Sequence, residues 1–308
     1  MLRQWGFTTC VFFIFVFAAA QAHAQESKTQ RQQGQRVDSG FRPNISNPRY
    51  AKGNAPTVAI DEGHGNFHTI DGRFRPFATV LEADGCKVIA HESEFSDASL
   101  AKIDLLVIAN ALSRGENKLS SAFTKPEIET LLKWIKNGGS LLLLADHSPY
   151  GEAAETLGEA LGVEMSGGFV LGKEGSRIRF SLRDETLRKH AVTLGSGPPE
   201  RVSSVTSFTG QALKFSSEFT PLLRLDRGSV LYPDRRSAVQ KRNPANVAGW
   251  HQGGLAAVGK GRVAVFGEAG MFSAQISVSG KPMGMNAPGA EQNQQFLINV
   301  VHWLVPLR

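Results

Sequence analysis

The chain has 308 residues, a formal net charge of +6 and a hydrophobic content of 41%. This length and hydrophobic content can supply the core of one large domain, which excludes a chain that is disordered throughout. Most of the excess positive charge lies near the N-terminus, and no basic stripe with interleaved aromatic residues follows it. The composition therefore argues against nucleic acid as a partner.

The first 24 residues have the features of a secretory signal peptide. Arg3 supplies a positive charge, the apolar run at 11–20 is too short to cross a bilayer, and Ala22-His23-Ala24 is a small-residue cleavage site. We therefore predict cleavage before Gln25, a periplasmic or secreted protein, and no transmembrane segment in the mature chain. Cleavage is favoured over an uncleaved anchor.

Residues 25–55 form a basic segment that is rich in Gln, Asn and Ser. Six basic and two acidic side chains give this segment a net charge of +4. Because it has no apolar period, we predict a disordered leader. A solvated linker is favoured over a segment that contacts anionic lipid or polysaccharide.

From residue 56 onwards, apolar strand patterns alternate with helical patterns. Strands are predicted at 57–60, 86–90, 105–109 and 141–145, and helices at 73–83 and 151–161. A further helix is predicted between Thr124 and Gly138, because Thr124 and Glu127 form a capping box and glycines end the pattern. Near-continuous apolar strands separated by helices predict an α/β fold with a mostly parallel sheet covered on both faces.

The second half of the chain departs from this pattern and then returns to it. Residues 163–254 contain short alternating runs and many Ser, Gly and Arg residues, which predict a β-rich insertion. A hairpin is predicted at 255–266 around Gly259-Lys260-Gly261, and a closing helix at 291–304. We interpret residues 56–308 as a single α/β domain.

Cleavage of the signal peptide would leave Cys86 as the one cysteine of the chain. A single thiol cannot form an internal disulfide bond. Cys86 opens a predicted strand, at the end opposite to the one where ligand sites form. A buried core position is therefore favoured over a nucleophile.

Polar side chains follow the carboxyl ends of several predicted strands, and these ends share one edge of a parallel sheet. The candidate catalytic residues are Asp61, Glu62, His64, Asp146, His147 and Glu268. The candidate substrate-binding residues are Asn66, His68, Asn110, Asn286 and Asn293. The glycines at 63 and 65 allow the first of these loops to turn sharply and approach a ligand.

Three chemistries fit these residues. A divalent metal could be bound by His64, His68, Asp146 and His147, with Asp61 or Glu62 as a further or supporting ligand. The second is a metal-free acid/base pair such as Glu62 with His147. The third is a Ser148 nucleophile, which is disfavoured because Pro149 lacks the N–H that an oxyanion hole would use.

Four segments carry a resemblance to a known superfamily: VAIDEGHGNFH at 58–68, LLVIAN at 105–110, the stretch from 123 to 151, and VAVFGEAGMF at 263–272. They resemble the class I glutamine-amidotransferase-like superfamily, most closely its exported members without an assigned activity. The resemblance covers residues 56–160 and 255–304 and implies a flavodoxin-like three-layer sandwich. The amidotransferase branch uses a cysteine at a sharp turn after a strand. No cysteine stands at such a position here, so glutaminase activity is not implied.

Two functional hypotheses follow. The first is an exported hydrolase-like enzyme that acts on a polar, carbohydrate-containing small molecule at the carboxyl edge of the sheet. The carbohydrate is suggested by analogy with trehalose-utilisation-type relatives of the same fold. The second is a non-catalytic protein that binds a ligand or a cell-envelope partner at the same edge. The sequence leaves the substrate, the metal and the oligomeric state open.

Overall fold

The computed structural model describes residues 34–50 and 55–307. The predicted signal peptide and the beginning of the predicted leader lie outside the described residues. The helices are α1 Arg75–Ala83, α2 Asp97–Leu100, α3 Lys125–Lys136, α4 Tyr150–Leu161, α5 Ala191–Leu194, α6 Arg235–Gln240 and α7 Asn293–Leu304. Two 3₁₀ turns lie at Pro198–Glu200 and Gly270–Phe272.

The strands fall into one large sheet and several small ones. In the first part of the chain they are β1 Arg36–Val37, β2 Thr57–Asp61, β3 Lys87–His91, β4 Leu105–Ala109 and β5 Ser140–Leu144. The middle part contains β6 Val163–Met165, β7 Phe169–Leu171, β8 Arg177–Ser181, β9 Ser204–Phe208, β10 Leu213–Phe215, β11 Thr220–Arg224, β12 Val230–Tyr232 and β13 Ala245–Asn246. The last four are β14 His251–Val258, β15 Gly261–Phe266, β16 Ala274–Ile276 and β17 Pro282–Gly284.

The large sheet is mixed, which confirms an α/β protein but limits the prediction of a mostly parallel sheet. Its order is β3-β2-β4-β5-β15-β14-β10-β6, and β11 also pairs with β14. The five strands β3, β2, β4, β5 and β15 are parallel to one another, whereas β14, β10, β6 and β11 pair antiparallel. The antiparallel half arises because β14 and β15 form the predicted hairpin, whose chain reversal includes Gly259 at φ 60°.

Helices cover both faces of the parallel half. Successive residues of a strand point to opposite faces, so Leu142 packs in one core with Phe77 of α1 and Phe296 of α7. Leu143 packs in the other core with Leu131 of α3. Strands β4 and β5 are buried along their whole length, as their continuous apolar sequences predict.

The capping box of α3 forms as predicted and also serves a second purpose. The Thr124 hydroxyl accepts a bond from the Glu127 backbone N–H, and the Glu127 carboxylate accepts one from the Thr124 N–H. Glu127 is nevertheless buried, because its other carboxylate oxygen contacts His64 beyond the end of β2. The start of α3 is thereby tied to the carboxyl edge of the sheet.

The described part of the predicted leader is packed, which corrects the expectation of a disordered segment. Strand β1 pairs with β16 through Arg36 and Val37. Tyr50 is buried, and its hydroxyl donates to the Val305 carbonyl at 2.7 Å. The polar composition of the segment does not predict these contacts, because β1 has only two residues and the end of the segment is held by the ring of Tyr50.

Residues 163–254 surround the carboxyl edge of the sheet. Strands β6, β10 and β11 extend the large sheet, while β8 pairs with β9 and β12 pairs with both β7 and β13. Within the described ranges, no helix is long and apolar enough to cross a membrane. Cys86 is buried and has no disulfide partner, and burial raises the pKa of its thiol to about 12, in agreement with a core position.

Candidate functional site

A cavity of about 570 Å³ opens at the carboxyl ends of the parallel strands. Six of the polar lining residues come from the loop after β2, from the ends of β4, β5 and β15, and from β16; they are His68, Asn110, Asp146, His147, Glu268 and Gln275. Aromatic side chains form much of the remaining wall and are Phe67, Tyr150, Phe169 and Phe208. This position is where ligands bind in sheets of parallel strands.

Two carboxyl groups lie together in this cavity, at the ends of β5 and β15. Glu268 is only 2% exposed, and its two oxygens accept bonds from the backbone N–H groups of Gly270 and Met271 at 2.6 and 2.7 Å. A Cβ atom at position 270 would lie 2.6 Å from the carboxylate, so this close approach requires glycine. Asp146 contacts the same loop, because its Oδ1 accepts a bond from the backbone N–H of Ala269 at 3.4 Å.

Both carboxyl groups have a raised pKa, mainly because of burial. Burial, followed by the charge of Asp146, raises the pKa of Glu268 well above its ordinary value. Burial also raises the pKa of Asp146, although His147 and Asn110 act in the opposite direction. Two neighbouring carboxyl groups away from water resist ionising together. The pair therefore keeps a proton under conditions in which isolated carboxyl groups have lost theirs.

Asn110 at the end of β4 fixes the position of Asp146. Its amide N–H donates to Asp146 Oδ2 at 2.7 Å, and its side-chain oxygen accepts from the Asp146 backbone N–H at 2.9 Å. Its own backbone has φ 52°, a left-handed conformation that asparagine tolerates better than most residues. Its carbonyl also accepts a bond from the N–H of Phe67, which places that ring at the cavity wall.

His147 presents one ring nitrogen that is free to bind a proton. Its Nδ1 lies 3.0 Å from the Ser148 carbonyl oxygen, which can only accept, so Nδ1 carries the proton of the neutral ring. The lone pair is then on Nε2, which has no hydrogen-bond partner among the described residues. The ring stacks on Phe169 with centroids 3.8 Å apart, which fixes its orientation beside the carboxyl pair.

His68 lies in the cavity wall and is buried without a partner. It is 2% exposed, and neither ring nitrogen has a hydrogen-bond partner within the described part of the chain. Burial, together with the charge of Arg73, lowers the pKa of His68 to about 3, so the ring is neutral over the ordinary pH range. The Phe74 ring packs against it with centroids 4.7 Å apart.

The predicted residue His64 lies apart from the cavity lining, in a closed polar cluster. Its Nδ1 contacts Asp61 at 2.9 Å and its Nε2 contacts Glu127 at 2.8 Å, and all three side chains are buried. Burial alone would lower the pKa of His64, but the bonds and charges of Asp61 and Glu127 outweigh it and raise that pKa. Phe95 and Phe123 cover the ring.

Four further candidates also lie outside the cavity lining. Glu62 accepts a bond from the N–H of Ile70, and within the described part of the chain no hydrogen bond joins it to His147. Asn66 donates to Asp61 and supports the loop after β2. Asn286 donates to Asp38 in the N-terminal segment. Asn293 donates to the Thr206 and Met271 carbonyls and accepts from the Thr206 N–H, and so joins α7 to β9.

The suggested metal ligands are not brought together. His68, Asp146 and His147 line the cavity, whereas both ring nitrogens of His64 are occupied by carboxylates elsewhere. Throughout residues 34–50 and 55–307, no group of three or more His, Cys, Asp or Glu side chains is arranged to hold a metal ion. The loop after β2 turns His64 and His68 toward different neighbours, so the two histidines do not converge on one site.

Several cavity residues were not among the candidates taken from the sequence. Tyr150 lies in the first turn of α4, and burial, followed by the charge of Asp146, raises its pKa to about 12. Gln275 lies in a three-residue strand, and Gln35 precedes β1 in the segment expected to be disordered. The aromatic pattern after β2 and β5 could have identified Phe67 and Tyr150, whose rings are 5.5 Å apart.

Solved structures resemble this fold at low sequence identity. The mmIFT52 N-terminal domain matches with a TM-score of 0.57 and 15% identity, over 82% of this chain and 98% of that domain. A ThuA-like protein from Bacteroides uniformis matches with a TM-score of 0.45 and 13% identity, over 86% and 94% of the two chains. A cytoplasmic protein from Salmonella typhimurium LT2 matches with a TM-score of 0.48 and 14% identity, over 81% and 99%. Comparisons with protein-family models and with curated protein sequences give no match.

Proposed function

We propose that this protein is an exported hydrolase that cleaves a carbohydrate-containing small molecule in the cavity, by proton transfer from the carboxyl pair of Asp146 and Glu268. The observation that carries the proposal is this pair: the buried Glu268 and the half-buried Asp146, both with raised pKa values, face a cavity at the carboxyl edge of the sheet. A carboxylic acid that stays protonated near neutral pH can serve as a general acid.

His147 supplies the complementary base. With Nδ1 bonded to the Ser148 carbonyl, Nε2 can accept a proton from a water molecule that attacks the substrate. The carboxyl pair gives its proton to the leaving oxygen as the bond between that oxygen and carbon breaks. The products are the alcohol that leaves and the sugar, which now carries the hydroxyl group from water. A proton then passes from the imidazolium of His147 back to the pair of Asp146 and Glu268.

The walls of the cavity favour a sugar as the part that is bound. Phe67, Tyr150 and Phe169 line the cavity, and the C–H face of a sugar ring can pack on aromatic rings while its hydroxyl groups reach polar neighbours. Only one cationic side chain, Arg235, lines the cavity within the described residues, and it is exposed. The site is therefore suited to a ligand with hydroxyl groups and little negative charge.

The strand order supports the placement of the site. The parallel strands follow the order β3-β2-β4-β5-β15, which corresponds to 2-1-3-4-5, and we regard this half as flavodoxin-like. In such sheets ligands bind beside the strand at which the order reverses, here between β2 and β4. The loops after these two strands contribute His68 and Asn110 to the cavity. Export is proposed from residues 1–24 alone.

The direct test is a hydrolysis screen of the purified mature protein with 4-nitrophenyl glycosides. Turnover of at least one glycoside is expected, and Asp146→Asn should lower kcat at least a hundredfold. Asp97→Asn is a matched control, because Asp97 is an exposed aspartate that pairs with Lys133 on the surface. Equal turnover by wild-type protein and Asp146→Asn would contradict the proposed acid.

A binding protein without catalysis is the second candidate. It is favoured by the two backbone N–H groups that bond the Glu268 carboxylate, because such bonds fix a side chain without requiring proton transfer. In that case sugars should bind to the wild-type protein and to Asp146→Asn, and neither should hydrolyse a glycoside.

A further inference from the structure

Two buried polar side chains in the cavity wall have hydrogen-bonding groups without partners. Gln275 is 0% exposed, and its Nε2 has no hydrogen-bond partner among the described residues. His68 has two such nitrogens and is equally enclosed. Both residues line the cavity. A buried polar group without a partner destabilises a fold by about 1–3 kcal/mol, and such groups are rare in folded proteins.

The N-terminal segment holds Gln275 in this orientation. Gln35 Nε2 donates to Gln275 Oε1 at 2.7 Å, so the amide oxygen is occupied and the NH₂ group is the part left unpaired. Strand β1 pairs with β16, and Val37 lies opposite Gln275 in that pairing. Arg73 donates to the Gln35 carbonyl at 2.8 Å and closes the same corner. The segment expected to be a leader therefore completes one wall of the cavity.

The unpaired groups define the chemistry of the ligand. A neutral imidazole offers one donor and one acceptor, and the Gln275 amide offers two donors. A hydroxyl group can donate and accept, so it can pair with either side chain. A carboxylate or phosphate can only accept, and it would also be repelled by the negative charge that the pair of Asp146 and Glu268 carries.

We propose that Gln275 and His68 form a subsite for the hydroxyl groups of a neutral sugar, and that Gln35 is a positioning residue for it. This inference rests on the proposed function, since it concerns the same cavity, but it concerns binding and not bond cleavage. It also assigns a role to residues 34–37, which hold one wall of the site in place.

The test measures binding of methyl glucoside, methyl galactoside and methyl mannoside to the mature protein by isothermal titration calorimetry. The variant Gln275→Leu removes the unpaired amide and keeps an apolar side chain of similar size. We expect the affinity for the best-bound glycoside to fall at least tenfold, while the melting temperature stays equal or rises. Substitution of a residue with a purely structural role would lower the affinity and the melting temperature together.

Gln35→Ala should weaken binding of the same glycoside about threefold to tenfold, because the Gln275 amide loses the bond that orients it. Gln294→Ala is the matched control. Gln294 holds the same N-terminal segment through its bonds with Asn44, but it does not line the cavity. Its substitution is expected to leave the affinity unchanged.

Failure of this inference is distinguishable from failure of the proposed hydrolysis. Sugar binding that depends on Gln275, without turnover of any glycoside, supports the subsite and rejects the hydrolase. The subsite would be overturned if no methyl glycoside binds to wild-type protein, if methyl glucuronide binds more tightly than methyl glucoside, or if Gln275→Leu loses binding together with several degrees of melting temperature. A singly deoxygenated glycoside that binds as tightly as its parent at every position would also overturn it.

Discussion

Two regions at the carboxyl edge of the sheet contain histidine and carboxylate side chains, and they differ in how their polar atoms are paired. In the cluster of His64, Asp61 and Glu127, both ring nitrogens contact carboxylates. In the cavity, His68 has no partner at either nitrogen; burial and the charge of Asp146 raise the pKa of Glu268, and burial raises the pKa of Asp146.

This difference separates a structural role from a binding role. A closed cluster gains its stabilisation within the protein and has no group left for a ligand. In the cavity, donors and acceptors without partners and neighbouring carboxyl groups lower the stability of the folded protein. A bound ligand that pairs with these groups can offset that cost. Histidine in a loop after a strand is common to both regions, so residue type and position alone do not distinguish them.

The largest expected effect is on catalysis in the cavity. Asp146→Asn keeps the shape of the side chain and can still accept a bond from Asn110, but it removes the proton shared with Glu268. We expect glycoside hydrolysis to fall by a factor of about 10²–10⁴, measured as kcat on the best aryl glycoside. A loss below about threefold would show that the pair is not the acid.

The next effect is on the stability of the closed cluster. His64→Ala removes the ring that bonds both buried carboxylates, Asp61 and Glu127, and it should lower the free energy of unfolding by about 3–5 kcal/mol in urea denaturation. His147→Ala is the matched control, because this half-buried histidine loses mainly its stacking on Phe169. Its cost should be about 1 kcal/mol or less. Equal costs for the two variants would remove the distinction between the regions.

The two regions should also respond to pH in opposite directions. Burial acts to raise the pKa of Glu127, but bonds from His64, Thr124 and Phe95 outweigh it and lower the pKa from 4.5 to about 2. A carboxyl group with a lowered pKa in the folded state stabilises it above the unfolded value and loses that contribution as pH falls. Unfolding free energy should therefore decrease from about pH 4.5 toward pH 2, and Glu127→Gln should flatten this decrease.

The smallest expected effect comes from the carboxyl pair. Because the folded state holds its proton more tightly than the unfolded chain, the pair makes stability fall as pH rises above the ordinary carboxyl range. Asp146→Asn removes this repulsion and should raise the unfolding free energy at pH 7 by up to about 1 kcal/mol. A clear destabilisation by Asp146→Asn at pH 7 would indicate that the ionised side chain is structurally required.

The sequence predicted those elements whose features are visible in a short stretch of residues. The apolar strand at 105–109 and the capping box of Thr124 and Glu127 appear as predicted, because burial on both faces and helix capping leave direct marks on the sequence. The N-terminal segment could not be predicted in this way. It is held by β16 and by Val305, more than 200 residues away along the chain.

The positions of the predicted strand ends located the cavity residues more reliably than the composition of the loops did. Placing polar groups after β2, β4, β5 and β15 identified five residues that line the cavity: His68, Asn110, Asp146, His147 and Glu268. The loop after β2 was predicted as a unit, but it divides between the cavity and the closed cluster. Glu127, one of the residues that enclose His64, lies 63 residues away along the chain, so the pattern of the loop does not reveal this contact.

The central claim is that the pair of Asp146 and Glu268 keeps a proton at a pH where isolated carboxyl groups have lost theirs. Its most direct test is a carbon-13 NMR titration of the side-chain carboxyl groups in the wild-type protein and in Asp146→Asn. We expect a carboxyl resonance that titrates well above the ordinary glutamate value of about 4.3 in the wild-type protein. That high midpoint should fall in Asp146→Asn. If every carboxyl group of the wild-type protein titrates at or below its ordinary value, the pair shares no proton, and the proposed acid does not exist.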